Sequence, residues 1–226
     1  MTPGRAAASP PSLLPHQEAL MATRPLHRWV RRGSWVLMGL GRLVTGYVLT
    51  LVAYEGYAQH RLLADWDRLH PPQSIPATGL VATATIPVRH PHLADGRPIF
   101  KLAMPSIHFE AVVTEGIDGG ILSSGPGHDH HTAYPGEGGI VLVGNHNGFS
   151  LSWGDLHPGD RVRVDTGYGS YVYRIDSRSV VDGDDRGYID RSRDGETLLL
   201  VTCWPLWQGA LAHERLVLEA TPVASA

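Results

Sequence analysis

The stretch that most constrains the fold is an unbroken apolar run that ends in the only cysteine of the chain: Thr197-Leu198-Leu199-Leu200-Val201-Thr202-Cys203-Trp204-Pro205. Residues 198–202 lack the alternation of a half-exposed strand, so they predict a strand buried on both faces. Pro205 has no amide hydrogen and cannot continue a sheet ladder. The run therefore places the Cys203 thiol at a strand end, either as a reactive group or as an inert buried side chain.

Composition excludes several classes of protein. The chain has 226 residues, a net charge of −3 and a single lysine, Lys101, and no basic stripe with interleaved aromatic residues. Nucleic-acid binding is therefore not expected. The 26 glycines and 17 prolines punctuate short apolar runs, which favours an all-β domain with many turns.

The first part of the chain predicts a membrane anchor. Residues 1–32 are interpreted as a disordered basic cytoplasmic tail. Residues 33–54 are almost wholly apolar apart from Arg42, and their length is close to the roughly 20 residues that span a bilayer. The arginines before this segment predict a single-pass protein of the cell membrane with its N-terminus in the cytoplasm.

The remaining chain predicts a spacer followed by one globular domain outside the cytoplasm. Residues 55–78 are interpreted as a juxtamembrane helix and linker, since apolar residues recur at helical spacing until Pro71-Pro72. Residues 79–226 form the predicted domain. Its lone cysteine excludes an intramolecular disulfide.

Short apolar runs indicate eight strands in this domain. The runs are residues 81–88, 99–104, 111–114, 140–143, 161–165, 171–176, 198–202 and 216–218. Residues 116–139 are rich in glycine and predict a long loop, with one helical turn at 120–123. Eight short strands with few helices fit a small closed or nearly closed barrel.

Two of the predicted strands run into residues with catalytic potential. Residues 140–143 lead to His146, and residues 198–202 lead to Cys203. A thiol becomes an effective nucleophile when an imidazole can exchange its proton and a cation or backbone donor stabilises the developing oxyanion. Arg215, at the start of the last strand, is the nearest candidate cation. Spacing alone does not establish that the three side chains meet.

Six ordered blocks resemble the sortase family of membrane-anchored cysteine transpeptidases. The blocks are Gly125-Pro126-Gly127-His128, Thr132-Ala133-Tyr134-Pro135-Gly136-Glu137, Val141-Leu142-Val143-Gly144-Asn145-His146-Asn147, Leu156-x-x-Gly159-Asp160, Leu199-Leu200-Val201-Thr202-Cys203-Trp204-Pro205 and Arg215-Leu216-Val217. The resemblance covers residues 99–220. Asn145 and Asn147 flank the histidine where the family more often has glycine before it, and Trp204 replaces the commoner tyrosine. The blocks look nearer to the class D and E sortases than to class A.

The resemblance implies a fold and a set of site residues. The fold would be an all-β, eight-stranded sortase-type β-barrel with short helices, preceded by the N-terminal transmembrane helix. His146, Cys203 and Arg215 would be catalytic. Thr202, Asn147, Trp204 and His128 would bind substrate. The resemblance implies neither a cofactor nor a metal.

The implied activity is extracytoplasmic transpeptidation. Cys203 would cleave the Thr–Gly bond of a C-terminal sorting signal of the Leu-Pro-x-Thr-Gly type and form a thioacyl enzyme. The surface protein would then pass to an amine acceptor, either a peptidoglycan precursor or a pilin lysine. The outcome would be cell-wall anchoring or pilus assembly.

An alternative from another class of protein is a membrane-tethered β-barrel binding module with a structural cysteine. Such a module would bind metal through a loop that contains His128, His130 and His131. This spacing supplies no fourth ligand, so the loop is interpreted mainly as solvated and bordering the active site. A reactive thiol would favour the enzyme, and an inert one the binding module.

Overall fold

The computed structural model describes residues 24–70 and 93–223 and divides the chain into two units, Met1–Leu51 and Val52–Ala226. The strand predicted at 81–88 lies outside the described residues, as does the linker after His70.

One helix, α1 (Arg24–Leu69), contains both the predicted anchor and the predicted juxtamembrane helix. Because it begins at Arg24, residues 24–32 are helical, whereas the sequence predicted a disordered tail. None of the described helices is both long and apolar enough to cross a membrane, so the transmembrane prediction for 33–54 is not supported. Arg42 and four glycines lower the hydropathy of that segment. In the first unit, large apolar side chains such as Trp35 and Leu37 are exposed.

In the second unit, the C-terminal part of α1 packs against the barrel and does not act as a free spacer. Trp66 is only 5% exposed and belongs to the main hydrophobic core, with Leu62 and Leu63 packed beside it. The His70 ring stacks on Trp66 with a centroid distance of 4.0 Å. The apolar stripe that predicted a helix here is therefore the stripe by which the helix binds the domain.

The described residues of the domain form a closed barrel of eight strands in the order β1-β2-β3-β4-β7-β8-β6-β5, which confirms the predicted eight-stranded β-barrel. The strands are β1 (Pro98–Met104), β2 (Phe109–Glu115), β3 (Gly127–His128), β4 (Ile140–Asn145), β5 (Arg161–Thr166), β6 (Ser170–Asp182), β7 (Thr197–Trp204) and β8 (Glu214–Pro222). Short helices connect them: α2 (Gly119–Leu122), α3 (Asn147–Ser150), α4 (Gly187–Asp190) and the 3-10 helices Pro105–Ile107, Leu151–Asp155 and Leu206–Leu211.

Strand β3 lies inside the segment that the sequence predicted as a loop. It contains only Gly127 and His128, which is too short for any hydrophobic periodicity, and it pairs with β2 in parallel and with β4 in antiparallel fashion. The imidazole of His128 is fully buried, with Nδ1 3.2 Å from the buried Glu115 carboxylate. Tyr134 donates its hydroxyl to the same carboxylate at 2.5 Å. Burial, together with this hydrogen bond, raises the pKa of Tyr134, so its phenol remains a donor to the buried charge.

The two faces of β7 explain its unbroken apolar run. Leu198 and Leu200 belong to the core inside the barrel, whereas Leu199 and Val201 belong to a second cluster outside it. We call this second group the outer cluster; it also contains Leu142, Tyr188 and Val217. A strand buried on both faces is what the sequence predicted for residues 198–202.

Gln59 of α1 hydrogen-bonds to the backbone of β2, whose pairing with β3 is short. β3 pairs only with Thr114 and Glu115. The Val112 amide donates to Gln59 Oε1 at 3.1 Å, and Gln59 Nε2 donates to the carbonyls of Val112 at 3.3 Å and Ser124 at 2.7 Å. A buried side-chain amide therefore satisfies backbone groups that would otherwise lie unpaired.

We predict that Gln59→Ala destabilises the protein by about 1–3 kcal/mol, the usual cost of leaving a buried polar group unpaired. Chemical denaturation of the full chain measures this directly. His60→Ala is the matched control, because His60 is the next residue of the same helix and is exposed. Equal denaturation midpoints for the two variants would show that the Gln59 contacts do not stabilise the barrel.

Candidate active site

The Cys203 thiol lies at the surface end of a buried strand. Strand β7 ends at Trp204, before Pro205. Side chains alternate along a strand, so Cys203 shares the outer face with Leu199 and Val201. Those two residues are buried, but Cys203 itself is only partly buried. The thiol is therefore flanked by apolar side chains and remains accessible.

Arg215 lies directly opposite Cys203. The antiparallel register of β7 and β8 pairs the two residues, and Cβ atoms of such partners are about 4.5–5.5 Å apart. The Arg215 guanidinium donates through Nη1 to the carbonyls of Glu214 at 2.9 Å and Ala212 at 3.3 Å. Within the described part of the chain, Nη2 and Nε have no protein partner, so they remain available to a ligand.

Gly183 keeps the space beside this guanidinium open. A Cβ atom at this position would lie 2.5 Å from the His213 carbonyl oxygen and 3.1 Å from Arg215 Nη1. The sequence analysis missed this residue, because its only signal was a glycine between two aspartates. Any larger residue would displace the backbone that positions Arg215.

His146 approaches Cys203 from the other side. The parallel register of β4 and β7 pairs Asn145 with Thr202, so the next residue on each chain is His146 and Cys203. Adjacent strands lie about 4.7–4.9 Å apart. Alternation along β4 places His146 on the outer face with Leu142. The structure thus brings the three predicted catalytic residues together on one face, with Cys203 in the middle.

A buried hydroxyl pair fixes the histidine loop to the cysteine strand. The Ser150 hydroxyl lies 2.6 Å from Thr202 Oγ1 and donates to the His146 carbonyl at 3.0 Å. Both hydroxyl-bearing residues are buried. Sequence reasoning missed Ser150, although a serine four residues after the histidine in a helical turn can make this bond.

Thr202 and Trp204 were predicted to bind substrate, but alternation along β7 places them on the face opposite Cys203. Thr202 is only 2% exposed. Trp204 packs against the interior core, and the Arg178 guanidinium lies 5.1 Å from its ring centroid. Both residues are therefore placed to position β7 rather than to line the surface around the thiol.

Asn147 and His128, the other two predicted substrate-binding residues, differ in their surroundings. Asn147 is buried and donates through Nδ2 to the Leu206 carbonyl at 2.7 Å, whereas its Oδ1 has no hydrogen-bond partner among the described residues. This unpaired acceptor follows directly after His146. His128 is fully buried in the Glu115 network, so its position does not support direct contact with a substrate.

In the histidine-rich loop, the residues that lie close together are not the three histidines that the sequence suggested as metal ligands. His128 points into the core, away from His130 and His131. Instead, Asp129 joins these two histidines, and one ligand atom from each of the three residues lies within 4.8 Å of the others. The predicted His128/His130/His131 set is therefore wrong in one member, because β3 buries His128.

Comparison with known families agrees with this geometry. A model of the sortase domain matches residues 102–223, which is more than half of the chain. The strand register places Cys203 of β7 opposite Arg215 of β8 and next to the β4 strand that leads into His146, and these residue types suit a cysteine acyl-transfer site. The chain belongs to the sortase family.

Similar proteins come from several bacteria. Sortase D of Bacillus subtilis (strain 168) is 35% identical over 118 residues, which cover 52% of this chain and 60% of that protein. The chain thus spans about 60% of the length of this relative. The match includes neither the whole of this chain nor the whole of the relative.

Solved sortase structures share the barrel. The Clostridium perfringens Sortase D5 transpeptidase superposes with a TM-score of 0.54 at 23% identity, covering 59% of this chain and 83% of that chain. Sortase A from Corynebacterium diphtheriae gives a TM-score of 0.52 at 23% identity, covering 57% and 62%. At these identities the likeness establishes the fold alone.

We predict that Ser150→Ala destabilises the protein by about 1–3 kcal/mol, because it leaves the buried Thr202 hydroxyl without its partner. Thr202→Val should have a similar effect. The double variant should lose less than the sum of the two, since both single changes break the same contact. Chemical denaturation of the four proteins completes this cycle.

Ser179→Ala on β6 is the control, because Ser179 is exposed. Additive losses for Ser150→Ala and Thr202→Val would contradict a direct coupling between the two hydroxyls.

Proposed function

We propose that this protein is a cysteine transpeptidase that acts on surface proteins carrying a C-terminal sorting signal. The observation that carries the proposal is the strand register that sets Cys203 between His146 and Arg215. The family supports the same reaction class, and the structurally similar Clostridium perfringens Sortase D5 is a transpeptidase.

In the first half of the reaction, the Cys203 thiolate attacks the carbonyl carbon of the scissile Thr–Gly bond. A C–S bond forms and the carbonyl oxygen becomes an oxyanion. His146, as imidazolium, then gives its proton to the leaving amine as the C–N bond breaks. The product is a thioester between Cys203 and the threonine of the surface protein.

In the second half, an acceptor amine attacks the thioester. Neutral His146 removes the proton from the attacking nitrogen, a new amide bond forms, and the Cys203 thiolate leaves. Because the thioester retains the energy of the cleaved peptide bond, the transfer requires no nucleotide. We propose a peptidoglycan precursor or a pilin lysine as the acceptor, leading to cell-wall anchoring or pilus assembly.

Arg215 stabilises charge and orients the substrate. Two hydrogen bonds through Nη1 hold its guanidinium to the β8 backbone, which leaves the other side of the planar fork for a substrate carbonyl or the oxyanion. A preorganised donor of this kind stabilises the transition state more than the ground state.

We propose an extended peptide signal of the Leu-Pro-x-Thr-Gly type as the substrate, which is the signal that the family resemblance implies. Asn147 is buried, and the bond from its Nδ2 to the Leu206 carbonyl holds the residue after His146 in place. Thr202 and Trp204 act indirectly, by positioning the cysteine strand. His128 acts from the core, where its bonds to Glu115 and the Ala133 carbonyl hold the loop that follows β3.

We predict that Cys203→Ala abolishes cleavage, since the chain has no second cysteine that could form the thioester. His146→Ala should slow cleavage by about 10²–10⁴-fold, the usual contribution of general acid–base catalysis. Arg215→Ala should cost on the order of 10²–10³-fold, as for loss of an oxyanion donor. The measurement is cleavage of Leu-Pro-x-Thr-Gly and Leu-Ala-x-Thr-Gly peptides, with mass spectrometry of the acyl enzyme.

His157→Ala and Arg163→Ala are the matched controls, because both residues are exposed and lie away from β7. Arg215→Lys tests whether the planar guanidinium is needed, since lysine keeps the positive charge but lacks the planar set of N–H donors. Cleavage by Cys203→Ala, or an acyl group on any other residue, would disprove the mechanism. A thiol inert towards alkylation, with or without peptide, would instead favour a binding module.

We further propose that the barrel works outside the cytoplasm at the cell membrane, with the N-terminus inside. The arginines at the start of α1 and the exposed apolar side chains that follow support this orientation. Protease added to intact cells should therefore degrade the barrel, whereas a tag before Arg24 should remain protected until the cells are lysed. Protection of the barrel in intact cells would reverse the assignment.

A further inference from the structure

We propose that Asp129, His130 and His131, together with Asp95, form a binding site for a divalent transition metal of the zinc type. We call these four residues the loop cluster. It lies at the end of β3, outside the catalytic set, and does not depend on the proposed transpeptidase activity.

Three ligand atoms of the loop cluster already lie close together. His131 Nδ1 is 3.1 Å from Asp129 Oδ1, near the roughly 3.3 Å that separates two atoms bound tetrahedrally to zinc at about 2.0–2.1 Å. The rings of His130 and His131 have centroids 4.1 Å apart. One ligand atom each from Asp129, His130 and His131 lies within a span of 4.8 Å. Small rotations of the two imidazoles would therefore close this triad around one ion.

The three side chains differ in solvent exposure. The Asp129 side chain is only 12% exposed, and its Oδ1 accepts a hydrogen bond from the His131 amide at 3.0 Å. By contrast, the His130 and His131 side chains are 46% and 80% exposed. A fixed carboxylate with two imidazoles that can rotate needs little backbone movement to bind an ion.

Asp95 offers a fourth metal ligand from a distant part of the sequence. Its Oδ1 lies 4.0 Å from His130 Nδ1, although 34 residues separate the two along the sequence. The Asp95–Gly96 turn is held by the bond from the Gly96 amide to the Glu115 carbonyl at 2.8 Å. The sequence analysis found no fourth ligand because nothing in the spacing connects Asp95 with the histidines.

The chemistry of these donors selects the kind of metal. Two neutral imidazoles suit zinc, copper, nickel and cobalt, whereas calcium and magnesium prefer oxygen ligands alone. The two carboxylates balance the charge of a divalent ion. With four protein ligands available, the site resembles a structural zinc site more than an open catalytic one.

A bound ion would join two segments that the backbone ladders connect only indirectly. Asp95 precedes β1, and the other three ligands follow β3. Between them lies the buried network of Glu115, His128 and Tyr134. Metal binding would hold the segment before β1 against the loop after β3, which is the shortest of the described strands.

The test is titration of the full-length protein with Zn²⁺ by calorimetry and with Co²⁺ by visible absorption. We expect about one ion per chain, a tetrahedral Co²⁺ spectrum, and a thermal unfolding midpoint that rises with Zn²⁺ because the ion binds only the folded state. His130→Ala and His131→Ala should each weaken Zn²⁺ binding at least about tenfold, since even a residue outside the ligand set can cost that much. Asp95→Asn should weaken binding and reduce the rise in midpoint.

His157→Ala, at another exposed histidine, should bind Zn²⁺ as the parent does, and Ca²⁺ should leave the unfolding midpoint unchanged. Because His130 and His131 are exposed, their variants should unfold at the parent temperature without metal. Parent-like Zn²⁺ affinity in both histidine variants would overturn the site and assign any binding to other histidines. An equal response to Ca²⁺ would overturn the zinc-type assignment.

Discussion

The parallel pairing of β4 with β7 is the constraint on which the site depends. Six residue pairs from Ile140–Thr197 to Asn145–Thr202 fix the register, and this register places the residue after each strand beside its neighbour. If β7 slipped by one residue against β4, the Cys203 side chain would point into the barrel interior, and it would no longer share a face with His146. Parallel strands cannot be joined by a tight turn, so the chain between them runs through α3, β5, β6 and α4. Those segments contribute Tyr188 to the outer cluster and also contain Ser150 and Gly183.

Much of this architecture could be predicted from the sequence, where a long apolar run or strict alternation gave a clear signal. β7 was predicted as a strand buried on both faces, and its two hydrophobic clusters confirm it. The apolar run of β4 and the alternating residues of β5 also lie in strands. Eight strands were predicted and eight are described, but the two sets differ in one member. The predicted run at 81–88 lies outside the described residues, and the described set contains β3, which was predicted as part of a loop. A two-residue strand has no periodicity, so its position depends on tertiary pairing that no local pattern can indicate.

The residues of the candidate site also divide into some that were predictable from the sequence and others that were not. The positions of His146, Cys203 and Arg215 at strand ends were predictable from the sequence, and the register places them on neighbouring strands, whereas their catalytic role stays a prediction. The supporting residues were not predictable. Ser150 acts through two hydrogen bonds, and Gly183 acts through the side chain that it lacks. His128 shows the reverse error, since a motif residue was assigned to substrate although it belongs to the buried network beneath the loop. Motifs indicate which residues matter, but only packing shows whether they face a ligand or another side chain.

The position of β8 in the barrel has a consequence for the order in which the protein matures. It is the last of the described strands in sequence order, yet it lies between β7 and β6 and pairs with both. Because the ribosome synthesises the chain from the N-terminus, β7 and its thiol emerge before β8, and the place of β8 between β7 and β6 is then still empty. The strand that closes the cylinder is also the one that brings the guanidinium to the sulfur. A nascent chain that has not yet added β8 therefore has a nucleophile without its cation, so closure of the barrel and completion of the site become a single late event in biosynthesis.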